Sequence, residues 1–381
     1  MDFGLLTLAY RPCFEPQPFL QCSQHCFAFV VLSLAACGGD TGNNASTPNN
    51  SDNASQSTEA NNTGDTSEPA ETGTDSESVE PITLRIAYMP NYASLWGVLS
   101  AMNTGAFEEE GITVELWEFA DGPSEIAAME GGSIDLAYIG KGAHTLCIQG
   151  RALVFAPSSV HTSDKIVVTA ESGIESIEEL AGKRIAYNSG SSSESTLQSA
   201  LSQAGLTEDD VELFDMDVSY MVSAMVSGTV DVAVAWNPYT TEILNQVEGA
   251  KEIEFSNGSI NLSSWICLPD YAEENHDILV RFSRALYKGM DYGSNPDNWE
   301  QVAQWCADTT KTSLEANLAQ TGDATWFDSA TLISNMQDGT MEGYYDHLQQ
   351  DFLDGESITE DEVVDMSTVV LYDVMREALG I

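Results

Sequence analysis

Arg85-Ile86-Ala87-Tyr88 and Arg184-Ile185-Ala186-Tyr187 are one phrase written twice. Each is followed by a matching tail. The first tail has Ala128, Met129, Gly132, Ser133, Ile134, Asp135, Leu136 and Ala137; the second has Ala224, Met225, Gly228, Thr229, Val230, Asp231, Val232 and Ala233. Phrase and tail are separated by nearly the same length of chain in both copies. Each copy opens and closes on a β-branched, apolar run, Ile134 to Ile139 and Val230 to Trp236 at the tails, with helix-like stretches between. That alternation is the pattern of βαβ units around a mostly parallel sheet, whose strands are covered on both faces and can be almost wholly apolar. A period of roughly a hundred residues is too long for a solenoid repeat. Two α/β lobes are expected, with ligand bound where the carboxyl ends of the strands run into loops.

At 381 residues with 43% hydrophobic content, the chain has room for two lobes and material for their cores. Its formal net charge of −47, with 13 Lys plus Arg against 60 Asp plus Glu, would repel nucleic acid and anionic lipid surfaces. No nucleic-acid partner is expected.

Phe27 to Ala36 is an apolar run of about ten residues, too short to span a bilayer and of the length of a secretory h-region. It ends at Leu34-Ala35-Ala36-Cys37-Gly38, where the small residues before Cys37 resemble a bacterial lipobox. That resemblance implies that Cys37 is lipidated and becomes the mature N-terminus. Residues 1–36 are therefore read as a signal peptide whose start is misassigned, since Arg11 alone supplies positive charge to it beside Asp2 and Glu15. Residues 37–81 are read as the lipidated Cys and a tether of Ser, Thr, Asn, Gly, Asp and Glu, too poor in apolar surface to offset the entropy of ordering. A body held at the outer face of the cell membrane follows. Cys147, Cys267 and Cys306 lie far apart without CxxC or Cys/His spacing, so they are read as small buried hydrophobes; neither a metal nor a cofactor is expected.

Four loops follow the inferred strands. The first, from Met89 to Trp96, holds Asn91, Tyr92 and Trp96. The second is Gly140-Lys141-Gly142-Ala143-His144, a glycine loop with a fixed cation; Thr145 stands where a dinucleotide fingerprint would need a further Gly. The third, Asn188-Ser189-Gly190-Ser191-Ser192-Ser193-Glu194, combines close backbone approach at Gly190, hydroxyl donors and a helix N-terminus, for which an anion is the natural guest. The fourth, Ala235-Trp236-Asn237-Pro238-Tyr239, offers Trp236 and Tyr239 to an apolar or planar group.

These pieces together resemble the substrate-binding proteins of the nitrate, sulfonate and taurine class of ABC importers. The resemblance runs from Leu84 to about Lys251 and takes in Gly105 to Leu116, Gly131 to Gly140, Leu180 to Ala186, Gly190 to Ser193 and Gly228 to Pro238. It departs at Lys141, where small residues or Pro are commoner, and at Glu194, which sets an acid beside the anion loop. The resemblance implies a type II periplasmic-binding-protein fold, with lobe I formed by 82–167 and 265–381, lobe II by 168–264, and two crossings between them near 168 and 265. It also implies that the loops at Gly140, Ser191 to Ser193 and Trp236 line the cleft. The expected protein is a lipid-anchored, monomeric solute receptor, not an enzyme. It captures a small organic anion or zwitterion and hands it to a permease and its ATPase. The alternative on the same fold is a binding protein for a thiamine pyrimidine precursor, or a synthase-like enzyme. The chain lacks the clustered Cys/His set such an enzyme would need, and it lacks the basic helix-turn-helix a transcription regulator would need.

Overall fold

The repeated phrase forms a strand of each of two sheets, the middle one of three parallel strands. The computed structural model describes residues 80–161, 164–254 and 260–381. The expectations placed on residues 1–79, including the lipid on Cys37, fall outside the described residues. Eleven strands are seen among them. β1 (Ile82–Tyr88), β2 (Ile112–Glu118), β3 (Leu136–Ile139), β4 (Leu153–His161), β5 (Lys165–Val168), β6 (Arg184–Tyr187), β7 (Glu212–Asp215), β8 (Val232–Ala235), β9 (Lys251–Ile253), β10 (Asn261–Cys267) and β11 (Ala324–Trp326) follow in chain order. One sheet has the order β11-β4-β10-β3-β1-β2, the other β7-β6-β8-β5-β9.

The doubled sequence becomes doubled topology. β1 lies parallel between β2 and β3, and β6 lies parallel between β7 and β8. The shared Arg and Asp tie each unit. Arg85 grips Asp135 through Nε to Oδ2 at 3.0 Å and Nη2 to Oδ1 at 2.6 Å, and Arg184 grips Asp231 the same way at 3.1 and 2.8 Å. Each Arg also donates Nη1 to the carbonyl of a left-handed glycine, Gly132 at φ +73° and Gly228 at φ +69°, each ending its helix-to-strand turn. The motif is thus a staple of the fold, a fork-shaped guanidinium closing two hydrogen bonds on one carboxylate.

Two expectations need correction. The sheets are mixed: β4, β5, β9, β10 and β11 all enter antiparallel pairings, so parallel order belongs to the repeated units only. The crossings also come earlier than 168 and 265. Lys165–Val168 pairs in the second sheet and Asn261–Cys267 in the first, so the chain passes over between His161 and Lys165 and returns between Ile253 and Asn261. Both strands are apolar runs, and an apolar run does not declare which sheet it joins.

The cores differ in kind. Period-2 alternation splits the second sheet: Ile166, Val168, Ile185, Val232 and Val234 face a small aliphatic cluster with Leu197 and Leu201, while Val167, Ala186, Ala233 and Ala235 face the large cluster of the first sheet. That large cluster holds the aromatic mass, with Phe282 in contact with Phe107, Phe155 and Trp265 at centroid distances of 5.0 to 5.7 Å. Cys147, Cys267 and Cys306 are free thiols buried in it, and burial pushes all three above the ordinary thiol range. No helix among the described residues is long and apolar enough to cross a membrane.

Candidate functional site

The carboxyl ends of β1, β3, β6 and β8 open onto one cavity, and all four loops singled out in the sequence contribute to its wall. Asn91 comes from the loop after β1, Gly140 from that after β3, Ser191 and Ser192 from that after β6, and Trp236 and Asn237 from that after β8. About 610 Å³ of space, open solvent included, lies between these walls.

The serine loop shows how local sequence builds the wall. Ser191 is the N-cap of the helix Ser192–Ala204: its hydroxyl accepts from Ser193 N at 3.2 Å and donates to Asn188 O at 2.7 Å. Ser193 turns inward, donating to Val234 O at 2.6 Å and accepting from Asn188 N at 3.1 Å, so it stitches β6 to β8 instead of facing a ligand. Ser192 faces the cavity and its hydroxyl hydrogen-bonds to Asp164, whose carboxylate is also hydrogen-bonded by Asn261 and Thr196.

Several other sequence candidates are drawn away from the wall. Lys141 Nζ ion-pairs with Asp351 at 2.8 Å, 5.8 Å from the centre of the Phe352 ring, and burial lowers its pKa. It ties its loop to the helix Thr340–Asp354. His144 is buried, its Nε2 2.9 Å from Ser264 Oγ, and burial pushes it down to about 4. Glu194 folds back on its own loop, accepting from Gly190 N at 2.8 Å, and burial raises its pKa. Tyr92 and Trp96 stand behind the wall, their rings 5.2 and 5.1 Å from that of Trp326, with Trp96 Nε1 donating to Ser158 Oγ. Tyr239 is half-buried off the wall, and burial holds its hydroxyl up at about 12.

Gly142 and Gly190 act by being small where the two lobes meet. A Cβ at Gly142 would sit 2.1 Å from Ser191 O, and one at Gly190, at φ +71°, would sit 3.0 Å from Pro123 Cγ. Neither lines the cavity; at Gly142 backbone meets backbone only because the side chain is a hydrogen, and at Gly190 the chain meets the Pro123 ring.

Sequence reasoning missed half of the wall. His161 and Asp164 flank the first crossing, Asn261 opens β10, and Gln320, Asp323 and Trp326 arrive from beside β11. Asp323 accepts from Asn237 Nδ2 at 2.7 Å, a hydrogen bond from one lobe to the other, and burial raises its pKa, as it does for Asp164. His161 Nε2 lies 2.8 Å from Ser159 Oγ and 2.9 Å from Ser263 Oγ, and burial pushes it down to about 4, so it is neutral at pH 7. Gln320 Oε1 accepts from Tyr92 N at 3.1 Å, which fixes the start of the first helix, and Trp326 Nε1 donates to Thr321 O at 2.7 Å. The one local signal was polar residues ending apolar strands, as at His161 and Asp164. Nothing local marks Asp323.

Two α/β lobes, crossed twice by the chain and sharing a cavity at their strand ends, define a two-lobed solute-binding architecture, the periplasmic-binding-protein fold. The comparisons with known proteins agree. The chain belongs to the NMT1/THI5 like family, whose profile matches residues 93–298, just over half of its length. It is 29% identical over 280 residues to a putative binding protein of Brucella abortus, covering 71% of this chain and 85% of that protein. It is 25% identical over 226 residues to the taurine-binding periplasmic protein of Escherichia coli, covering 58% and 69%. The structure of the alkanesulfonate-binding protein of Xanthomonas axonopodis pv. citri is similar with a TM-score of 0.58 at 20% identity, over 76% of this chain and 98% of that one.

Proposed function

We propose that this protein is the extracytoplasmic solute receptor of an ABC importer, held at the membrane by lipid on Cys37, and that it captures a small organic anion or zwitterion for delivery to a permease and its ATPase. The observation that carries the reading is the cavity itself, walled from one sheet by Asn91 and Gly140 and from the other by Ser191, Ser192, Trp236 and Asn237. A solute touching both sets is enclosed when the lobes approach, and that closed form is what a transporter reads. The relatives named for taurine and alkanesulfonate binding support the solute class. We read the chain as a binding protein, not an enzyme.

A thermal-shift screen of the full chain against sulfonates, taurine, nitrate, amino acids and pyrimidines tests the reading, because a ligand that binds only the folded state raises its apparent stability. At least one of these solutes should raise Tm and reduce the radius of gyration in small-angle scattering. A ligand that raises Tm without compaction would remove the closure account. Cys37→Ser should release the protein from membranes, and unchanged fractionation would remove the anchor.

A second reading, a receptor for a thiamine pyrimidine precursor, is favoured by the rings of Tyr138, Trp236 and Trp326 on the wall, which suit a flat heterocycle.

A further inference from the structure

Charge on the cavity wall carries the solute class further, on the footing that the protein is a solute receptor. The wall holds two carboxylates, Asp164 and Asp323, and among the described residues no Lys or Arg. In the sequence, Thr162-Ser163 and Phe255 to Ser259, which lie outside the described residues, contain none either. His161 supplies no charge at pH 7, since burial leaves it neutral. Two lysines near the wall each pair with a carboxylate off it, Lys141 with Asp351 at 2.8 Å and Lys165 with Glu252 at 3.6 Å, and their charge reaches Asp164 and Asp323 only as a smaller pull against the effect of burial.

An acid stands beside the helix N-terminus that should welcome an anion. The hydroxyls of Ser192, which opens the helix Ser192–Ala204, and of Thr196, one turn further on, hydrogen-bond to the Asp164 carboxylate. A bare anion placed there would displace or oppose a side chain of its own sign in a partly dehydrated cavity, where like charges repel more strongly than in water. We infer that the solute bears an amine or amidine nitrogen, as a zwitterion or a cation, and that Asp164 and Asp323 select it by accepting its N–H groups. The amide of Asn237 reaches Asp323 from the other lobe, so the carboxylate that reads the nitrogen also helps hold the lobes together. The remaining polar wall groups, Asn91, Asn261 and Gln320, supply neutral donors and acceptors around it, and Trp236 and Trp326 give apolar faces that a cationic nitrogen also tolerates.

The test is calorimetric titration of the full chain with two pairs of probes, each pair differing by one amino group. Taurine is set against ethanesulfonate, and 4-amino-5-hydroxymethyl-2-methylpyrimidine against its 4-deamino counterpart. In at least one pair the amine-bearing member should bind tenfold tighter or more. Asp323→Asn and Asp164→Asn should each weaken that member at least tenfold while leaving the amine-free member unchanged or improved. An amine-free member that binds as tightly as its partner overturns this inference alone, because the cavity would still capture a solute. Silence from all four while another solute of the wider screen binds overturns this inference alone, and silence across the whole screen overturns the receptor reading with it. Should either variant fail to fold, the comparison of the probe pairs on the natural chain still decides.

Discussion

The units β2-β1-β3 and β7-β6-β8 share strand order, the Arg–Asp staple and the left-handed glycine before it, and they share almost nothing at the cavity. After β1 the first unit brings Asn91, and after β3 Gly140; after β6 and β8 the second brings two serines, Trp236 and Asn237. What is written twice builds the fold, and what is written once lines the cavity. The residues that drew attention by repetition, Arg85 and Arg184, are therefore staples, and the wall acids Asp164 and Asp323 have no counterpart in any repeat.

The cores extend the contrast, and breaking them should give the largest effects. Phe282→Ala empties the aromatic centre of the first lobe and should cost about 3–5 kcal/mol by denaturant melting. Leu197→Ala, in the aliphatic cluster of the second lobe, should cost less, and in hydrogen exchange it should loosen residues 165–253 while sparing the first sheet. Equal loosening of both sheets would show that the two cores are one.

Next comes the contact between units. At Gly142 an added methyl would meet the backbone of Ser191 with nothing flexible to yield, whereas at Gly140 the nearest atom is Ser192 Oγ at 3.8 Å. Gly142→Ala should weaken the solute found by the screen about a hundredfold, or close to 3 kcal/mol, and keep the scattering radius at its ligand-free value. Gly140→Ala should do far less.

Acid should separate the lobes as well. His144 and His161, both on the first-sheet side, have folded pKa values of about 4 against about 6.5 when unfolded. Because the unfolded chain takes up protons first, their contribution is whole above pH 6.5 and lost as pH falls towards 4, at about 1.4 kcal/mol per pH unit for each histidine. Glu125, buried without a hydrogen-bond partner for either oxygen among the described residues, is raised well above its usual value by burial and so acts in the opposite sense as pH falls. No histidine occurs between residues 165 and 253. Hydrogen exchange at pH 7.5 and pH 5 should show protection falling in the first sheet more than in the second.

Smaller still are the staples. Asp135→Ala and Asp231→Ala should lower Tm by a similar few degrees, the Arg partners being half exposed and their pairing screened; unequal drops would deny the two copies a common role. Smallest of all, Glu194→Gln should leave solute affinity unchanged, since this acid caps its own loop and does not line the cavity.

Much of the site was legible because strand ends are legible. Asn91, Gly140, Ser191, Ser192, Trp236 and Asn237 were found by asking where an apolar run stops and a helix begins, which is a local question. Lys141, His144 and Glu194, expected at the cleft for the same reason, lie off this wall: a cation, an imidazole and a carboxylate beside a glycine loop look exposed until their partners are known. Asp351 stands 210 residues from Lys141 in the chain and Ser264 stands 120 from His144.

By itself the sequence determined the two α/β units, their central strands, the four loops at their carboxyl ends and the small residues where those loops crowd, because periodicity, branching and glycine act within a few residues of themselves. The tertiary structure alone decided which run joins which sheet, which charges neutralise one another, and that Asp164 and Asp323, from a crossing and from the C-terminal region, share a wall with Ser192 and Trp236. Burial and pairing depend on distance in space, and a chain that crosses twice between lobes brings together residues that no local pattern links.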